Sequence, residues 1–97
     1  MSEKTIVAAI LRYLKTVPHC FYWKQHGGQF GTAGLPDIIC CIDGWFIAFE
    51  VKTESGKLTA LQSATLDKIN AANGGAYVVR SVDEVKKIVE GLFHEEH

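Results

Sequence analysis

Three charged residues, Asp37, Glu50 and Lys52, border the most apolar stretch of the chain, residues 34–53, GLPDIICCIDGWFIAFEVKT. Two carboxylates beside an ammonium can hold a cation and move a proton if the chain brings them together. Asp43-Gly44 separates two runs rich in Ile, Phe, Trp and Cys, which is a strong hairpin signal. With that turn fixed, Ile42 faces Trp45, and counting outwards pairs Cys41 with Phe46, Cys40 with Ile47, Ile39 with Ala48, Ile38 with Phe49 and Asp37 with Glu50. Directly opposed side chains have β-carbons about 4.5–5.5 Å apart, and like charges placed there are destabilising. A divalent cation such as Mg²⁺ offsets the repulsion, since hard cations take carboxylate oxygens and keep water in their remaining positions. Lys52 follows Glu50 by two residues, and the period of a strand puts both on one face. The alternative is an ordinary solvated hairpin end with Lys52 as a partial counter-charge. A bulge would shift the pairing and turn one carboxylate to the other face.

The elements that position these groups are legible on either side. Ser2 caps a helix from Glu3 to about Lys15, with Ile6, Ala9, Ile10, Tyr13, Leu14 and Val17 as its apolar stripe and Pro18 beyond its end. Cys20 to His26 reads as an aromatic-rich strand. The loop GGQFGTAGLP follows, where Gly27, Gly28, Gly31 and Gly34 permit close approach of the backbone; it fits neither the P-loop nor the dinucleotide fingerprint. After the hairpin, residues 53–57 form a polar loop. A helix from about Thr59 to Ala72 ends at Asn73-Gly74-Gly75, and Gly75 to Arg80 is a short strand. Ser81-Val82-Asp83-Glu84 reads as a capping box opening a last helix through Val85, Ile88, Val89 and Leu92. The order is αβββαβα, one domain over residues 1–93, with residues 94–97 a frayed tail. His94 and His97 in that tail are read as solvated instead of metal-binding.

At 97 residues the chain can bury one small core, and 47% hydrophobic with 22% charged residues is an ordinary globular balance. No apolar run reaches the length of a membrane span and no signal peptide is evident, so the expected location is cytoplasmic, with no membrane partner. Three cysteines, two of them adjacent, form neither a disulfide framework nor paired zinc-ligand spacing. Cys20, Cys40 and Cys41 are read as small core hydrophobes. A net charge of −1 argues against a nonspecific nucleic-acid coat. Residues 1–68 hold seven Lys or Arg against six acids and residues 69–97 three against five, so the N-terminal part is the better seat for an anionic partner.

Pro36-Asp37 followed after a hairpin by Glu50-Val51-Lys52 resembles the PD-(D/E)XK nuclease superfamily. The run from Gly34-Leu35-Pro36-Asp37 through Glu50-Val51-Lys52, Gly56-Lys57-Leu58-Thr59 and Gln62 more closely resembles the virus-type replication-repair nuclease (VRR-NUC) domain, and the resemblance covers nearly the whole chain. It implies an α/β, restriction-endonuclease-like fold with a mixed sheet flanked by helices. It also implies a Mg²⁺- or Mn²⁺-dependent nuclease of bacterial or phage-infected cytoplasm. Asp37, Glu50 and the backbone carbonyl of Val51 would bind the metal, and Lys52 would position or activate the attacking water.

By the same resemblance, Glu3 would face the site and hold metal-bound waters. Its spacing to Ile6, Val7 and Ile10 agrees, although an acid in a first helical turn also suits the helix dipole. Gln62 would reach the site from the second helix while also serving a capping box with Thr59. Small stand-alone members are implied to be homodimers that cut branched DNA such as four-way junctions. Lys24, Lys57 and the glycine loop, with Gly28 and Phe30, are the candidate nucleic-acid contacts. Phe30 alternatively packs in a dimer interface, and Phe21, Tyr22 and Trp23 are read as core and interface residues. Rival readings are a duplex- or flap-directed nuclease of the same superfamily and an inert nucleic-acid-binding module.

Overall fold

The computed structural model describes residues 1–26 and 31–94. Gly28 and Phe30 lie outside the described residues. Helix α1 spans Glu3–Leu14, and strands β1 (Cys20–Lys24), β2 (Ile38–Ile42) and β3 (Trp45–Val51) follow. Helix α2 (Ala60–Ala71), strand β4 (Gly75–Val79) and helix α3 (Val82–His94) complete the αβββαβα order. The last helix therefore includes His94, one residue beyond the boundary read from sequence. Among the described residues no helix is long and apolar enough to cross a membrane.

The sheet order is β1-β2-β3-β4, antiparallel except for the parallel pair β3 and β4. The β2–β3 hairpin has the register expected from its turn, Ile42 with Trp45 through Ile38 with Phe49. Asp43 and Gly44 both have positive φ, 50° and 85°, as a type I′ turn requires, and Asp43 is further held by donating its N–H to the His19 carbonyl. A parallel partner needs a crossover, and α2 supplies it between β3 and β4.

Strand alternation divides the chain into two faces. Ile38, Cys40, Ile42, Ile47, Phe49, Val51 and Val79 point to one face and pack with Ile6, Ile10 and Leu14 of α1 and Val85 and Val89 of α3. On the other face, α2 stands over the β4 side of the sheet, its Ile69 beside Phe46 and Gly74. Among the described residues no helix lies over the β1 and β2 side of that face, which corrects one reading: Cys41 is exposed there, while Cys40 is buried and Cys20 half-buried. Burial pushes the Cys40 thiol up to about 12, so it behaves as a small inert hydrophobe. Phe21 and Trp23 also lie on the open face, 69% and 45% exposed, with ring centroids 5.9 Å apart. They are not core residues.

The caps set the helix ends. Ser2 accepts from the Thr5 N–H, and Thr59 and Gln62 form a reciprocal capping box on α2. Asn73, with φ 70°, closes α2 by donating to the Asn70 carbonyl while Gly74 donates to that of Ile69. Asn70 turns its side-chain amide to the backbone of Ala76, covering part of the β4 edge. The box expected at Ser81 forms only in part. Glu84 donates its N–H to the Ser81 hydroxyl, but its carboxylate accepts from the Arg80 N–H, one residue further back.

Candidate functional site

The site lies where β2 begins and β3 ends. Asp37 immediately precedes β2, and its backbone carbonyl accepts from the Gln25 N–H at 2.7 Å, extending the β1–β2 ladder by one step. Its carboxylate oxygen Oδ2 accepts from the Val51 N–H at 2.7 Å, so the end of β3 fixes the acid's orientation. Glu50 is 2% exposed and within hydrogen-bonding reach of Asp37. The opposed carboxylates predicted from the hairpin register are together.

Burial and the neighbouring Asp37 push the Glu50 carboxyl up to about 8, outweighing the opposite pull of Lys52. Lys52 Nζ is 3.7 Å from Glu50 Oε2, on the same face as the strand period requires, and the residue is itself only 8% exposed. An ion pair alone would favour the charged carboxylate. Here removal from water and a second carboxylate win, so Glu50 holds a proton more tightly than a solvated carboxylate does.

Gln62 serves two purposes with one amide. Its Oε1 accepts from the Thr59 N–H at 2.9 Å, completing the capping box, while Nε2 donates to Glu50 Oε2 at 3.3 Å. The cap residue thus also orients a buried carboxylate. Lys52, Gln62 and Asp37 approach Glu50 from three separate segments, which leaves the acid little freedom.

Asp37 also borders two cavities. One, about 280 Å³, is lined by Gln25, His26, Thr32, Leu35 and Gln62 among others. The second, about 480 Å³, brings Asp37 together with Glu3, Lys4 and Lys24 against Val7 and Leu11 of α1. Glu3 is exposed and not buried with the stripe it begins, yet its charge still adds to the load on Glu50. The first turn of α1 emerges from the core at the lip of this cavity. Lys24 shares the cavity with Asp37, whereas Lys57 is exposed on the loop after Lys52 and lines neither space.

The donor set fits a hard divalent ion in part. Among the described residues no cluster of three or more His, Cys, Asp and Glu is arranged as a metal site. Two adjacent acids, one buried with a raised proton affinity, are nevertheless the arrangement Mg²⁺ uses when water and substrate complete its shell. Val51 touches Asp37 through its N–H, and its carbonyl is the nearest main-chain candidate by sequence.

Gln25, His26 and Arg80 are site neighbours that the motif does not contain. Gln25 becomes visible only once the β1–β2 register is known, because the long loop between them carries no turn signal that sets it. Arg80 donates from Nη1 to the carbonyls of Thr53, Glu54 and Gly56 in the loop after Lys52, from 24–27 residues away.

A mixed four-stranded sheet with α1 and α3 on one face and α2 on the other, in the order αβββαβα, defines an α/β fold. Comparison with solved structures is more particular. The fold matches a structure titled "VRR_NUC domain" with a TM-score of 0.74, over 93% of this chain and 97% of that one, at 19% identity. No protein-family model and no curated protein matches the sequence.

Proposed function

We propose that the chain is a divalent-metal-dependent DNA endonuclease that hydrolyses phosphodiester bonds, acting as a homodimer on branched DNA such as four-way junctions. The observation that carries this reading is the buried Glu50 set against Asp37 with Lys52 at 3.7 Å, within the fold of a VRR_NUC domain. Asp37, Glu50 and the Val51 carbonyl are the proposed ligands of Mg²⁺ or Mn²⁺. When bound, such an ion supplies Lewis acidity at the phosphate and lowers the pKa of the attacking water. Lys52 holds that water and handles its proton, which an ammonium does and a guanidinium does not. Gln62 keeps Glu50 aimed, and Glu3 at the cavity lip holds outer water.

Lys24 and Lys57 are the proposed phosphate contacts, with Gly28 and Phe30 in the glycine loop beside them. The exposed row Phe21, Cys41 and Phe46, which the strand register places side by side across β1, β2 and β3, supports a second copy as the cover of the open sheet face. Two symmetric sites suit a two-fold DNA substrate.

The test compares a labelled four-way junction with a linear duplex of matched sequence, in Mg²⁺, in Mn²⁺ and in chelator, using the native chain and Lys52→Ala. Symmetric metal-dependent nicks in the junction, absent with Lys52→Ala, are expected. Equal cleavage of both DNAs removes the branched-substrate claim and favours a duplex-directed enzyme. No cleavage under any condition favours an inert binding module.

A further inference from the structure

Arg80 follows β4 directly and is exposed, but one nitrogen of its head group, Nη1, is engaged by a loop. Nη1 donates to the Thr53 carbonyl, to that of Gly56 at 2.8 Å and, more weakly, to that of Glu54 at 3.4 Å. One nitrogen with two hydrogens thus gathers three carbonyls of a single loop. The base of the side chain is anchored as well, because the Arg80 N–H donates to Glu84 Oε1 at 2.9 Å, at the first turn of α3.

The gathered loop lies on Lys52. A Cβ built on Gly56 would stand 3.5 Å from Lys52 Cδ and 3.2 Å from Thr53 Oγ1. Gly56 also donates its N–H to the Thr53 carbonyl, which closes the loop upon itself. Lys52 is tied to the same sheet edge by its N–H to the Val79 carbonyl at 3.0 Å. A lysine stem of four carbons is flexible, and an ammonium that must stay near Glu50 needs its stem confined. The loop confines it from one side and the sheet from the other.

We infer that Arg80 is a positioning residue for Lys52: it clamps the 53–57 loop over the lysine stem and so holds the ammonium at Glu50. The inference rests on the proposed proton-handling role of Lys52. Its geometric part stands without that role, and the two are tested apart.

The geometric part is read by acetylating the folded protein with an activated acetate ester and following each lysine by mass spectrometry. Arg80→Ala raises the rate at Lys52 by about fivefold or more, while Lys15, just past the end of α1, is unchanged. An unchanged rate at Lys52 overturns the clamp whether or not the protein cuts DNA. Gly56→Val disturbs the same seat with Arg80 intact, so it replaces Arg80→Ala should that variant not fold; unchanged Lys52 labelling in Gly56→Val likewise overturns the clamp.

The functional part uses single-turnover cleavage. Arg80→Ala lowers the maximal rate about 10–100-fold, the loss expected from misplacing a reacting group by an ångström, with little change in half-saturation by DNA. Arg80→Lys restores most of that rate, because a single nitrogen makes all the contacts and an ammonium can make them too. Arg80→Ala combined with Lys52→Ala is no slower than Lys52→Ala alone. Additive losses, or a defect confined to half-saturation, overturn action through Lys52. If the native chain does not cut DNA, the proposed function fails and the labelling result alone decides the clamp.

Discussion

Replacing Glu50 with Gln should make the metal-free protein more stable at alkaline pH while abolishing its proposed metal chemistry. In the folded state the Glu50 carboxyl titrates at about 8, against an ordinary value of 4.5, because it is buried beside Asp37. The folded protein therefore binds more protons than the unfolded chain between those two values. Stability must fall as pH rises from about 4.5 to 8 and level off above, the reverse of the usual salt-bridged carboxylate. At about 1.4 kcal/mol per pKa unit the ceiling is about 5 kcal/mol. Relaxation and water penetration at the site reduce this to an expected 2–3 kcal/mol, roughly half. Glutamine keeps an oxygen for the Gln62 amide, gains an N–H for Asp37 and carries no charge. Urea unfolding in chelator, followed by the fluorescence of Trp23 and Trp45, measures the gap between the variant and the native chain from pH 5 to pH 9, where distant titrations cancel. With a urea slope of roughly 1–2 kcal/mol/M, the gap in midpoint should widen by about 1–3 M in favour of Glu50→Gln. A gap that is constant, or that narrows with pH, would refute the reading of Glu50 as a buried acid held against its neighbour.

Millimolar Mg²⁺ or Mn²⁺ should raise the melting temperature by several degrees, more at pH 8 than at pH 6, because metal and proton compete for Glu50; an equal rise in Glu50→Gln would contradict this. Gly34→Ala should cost about 1–3 kcal/mol in a thermal melt, since φ is +84° and the new methyl would stand 2.6 Å from Leu61 Cγ; an unchanged melting temperature would mean that the segment leading to Asp37 is not seated as described. If the chain pairs through its open sheet face as proposed, Phe21→Ser with Trp23→Ser should yield a folded monomer in sedimentation analysis where the native chain is a dimer, and equal masses would contradict that interface.

The hairpin was legible in the sequence because Asp43-Gly44 fixes a two-residue turn, and every pairing outwards then follows, up to the two carboxylates. Ser2 and the Thr59–Gln62 box marked helix starts for a similarly local reason, a side chain bonding a nearby N–H. Coverage of the sheet was not local. Alternation puts Cys41 opposite in face to Cys40, but its exposure depends on α2 standing over β4 and away from β1. Ser81 to Glu84 satisfies the capping pattern, yet a competing N–H at Arg80 takes the carboxylate, a choice that spacing cannot express. The Arg80 clamp joins two segments that no motif links, and Lys24 meets Asp37 and Glu3 only because α1 begins beside the sheet.

The most direct test of the central claim is the single-turnover cleavage rate of one end-labelled branched DNA across a Mn²⁺ titration, for the native chain, Asp37→Ala and Lys52→Ala, each first shown to be folded. The account predicts a native rate that climbs with metal, stops in chelator and leaves 5′-phosphate ends, with both variants slower by about 100-fold or more. Variants that cut as fast as the native chain would mean that the hairpin carboxylates and their lysine are not where the phosphodiester is broken.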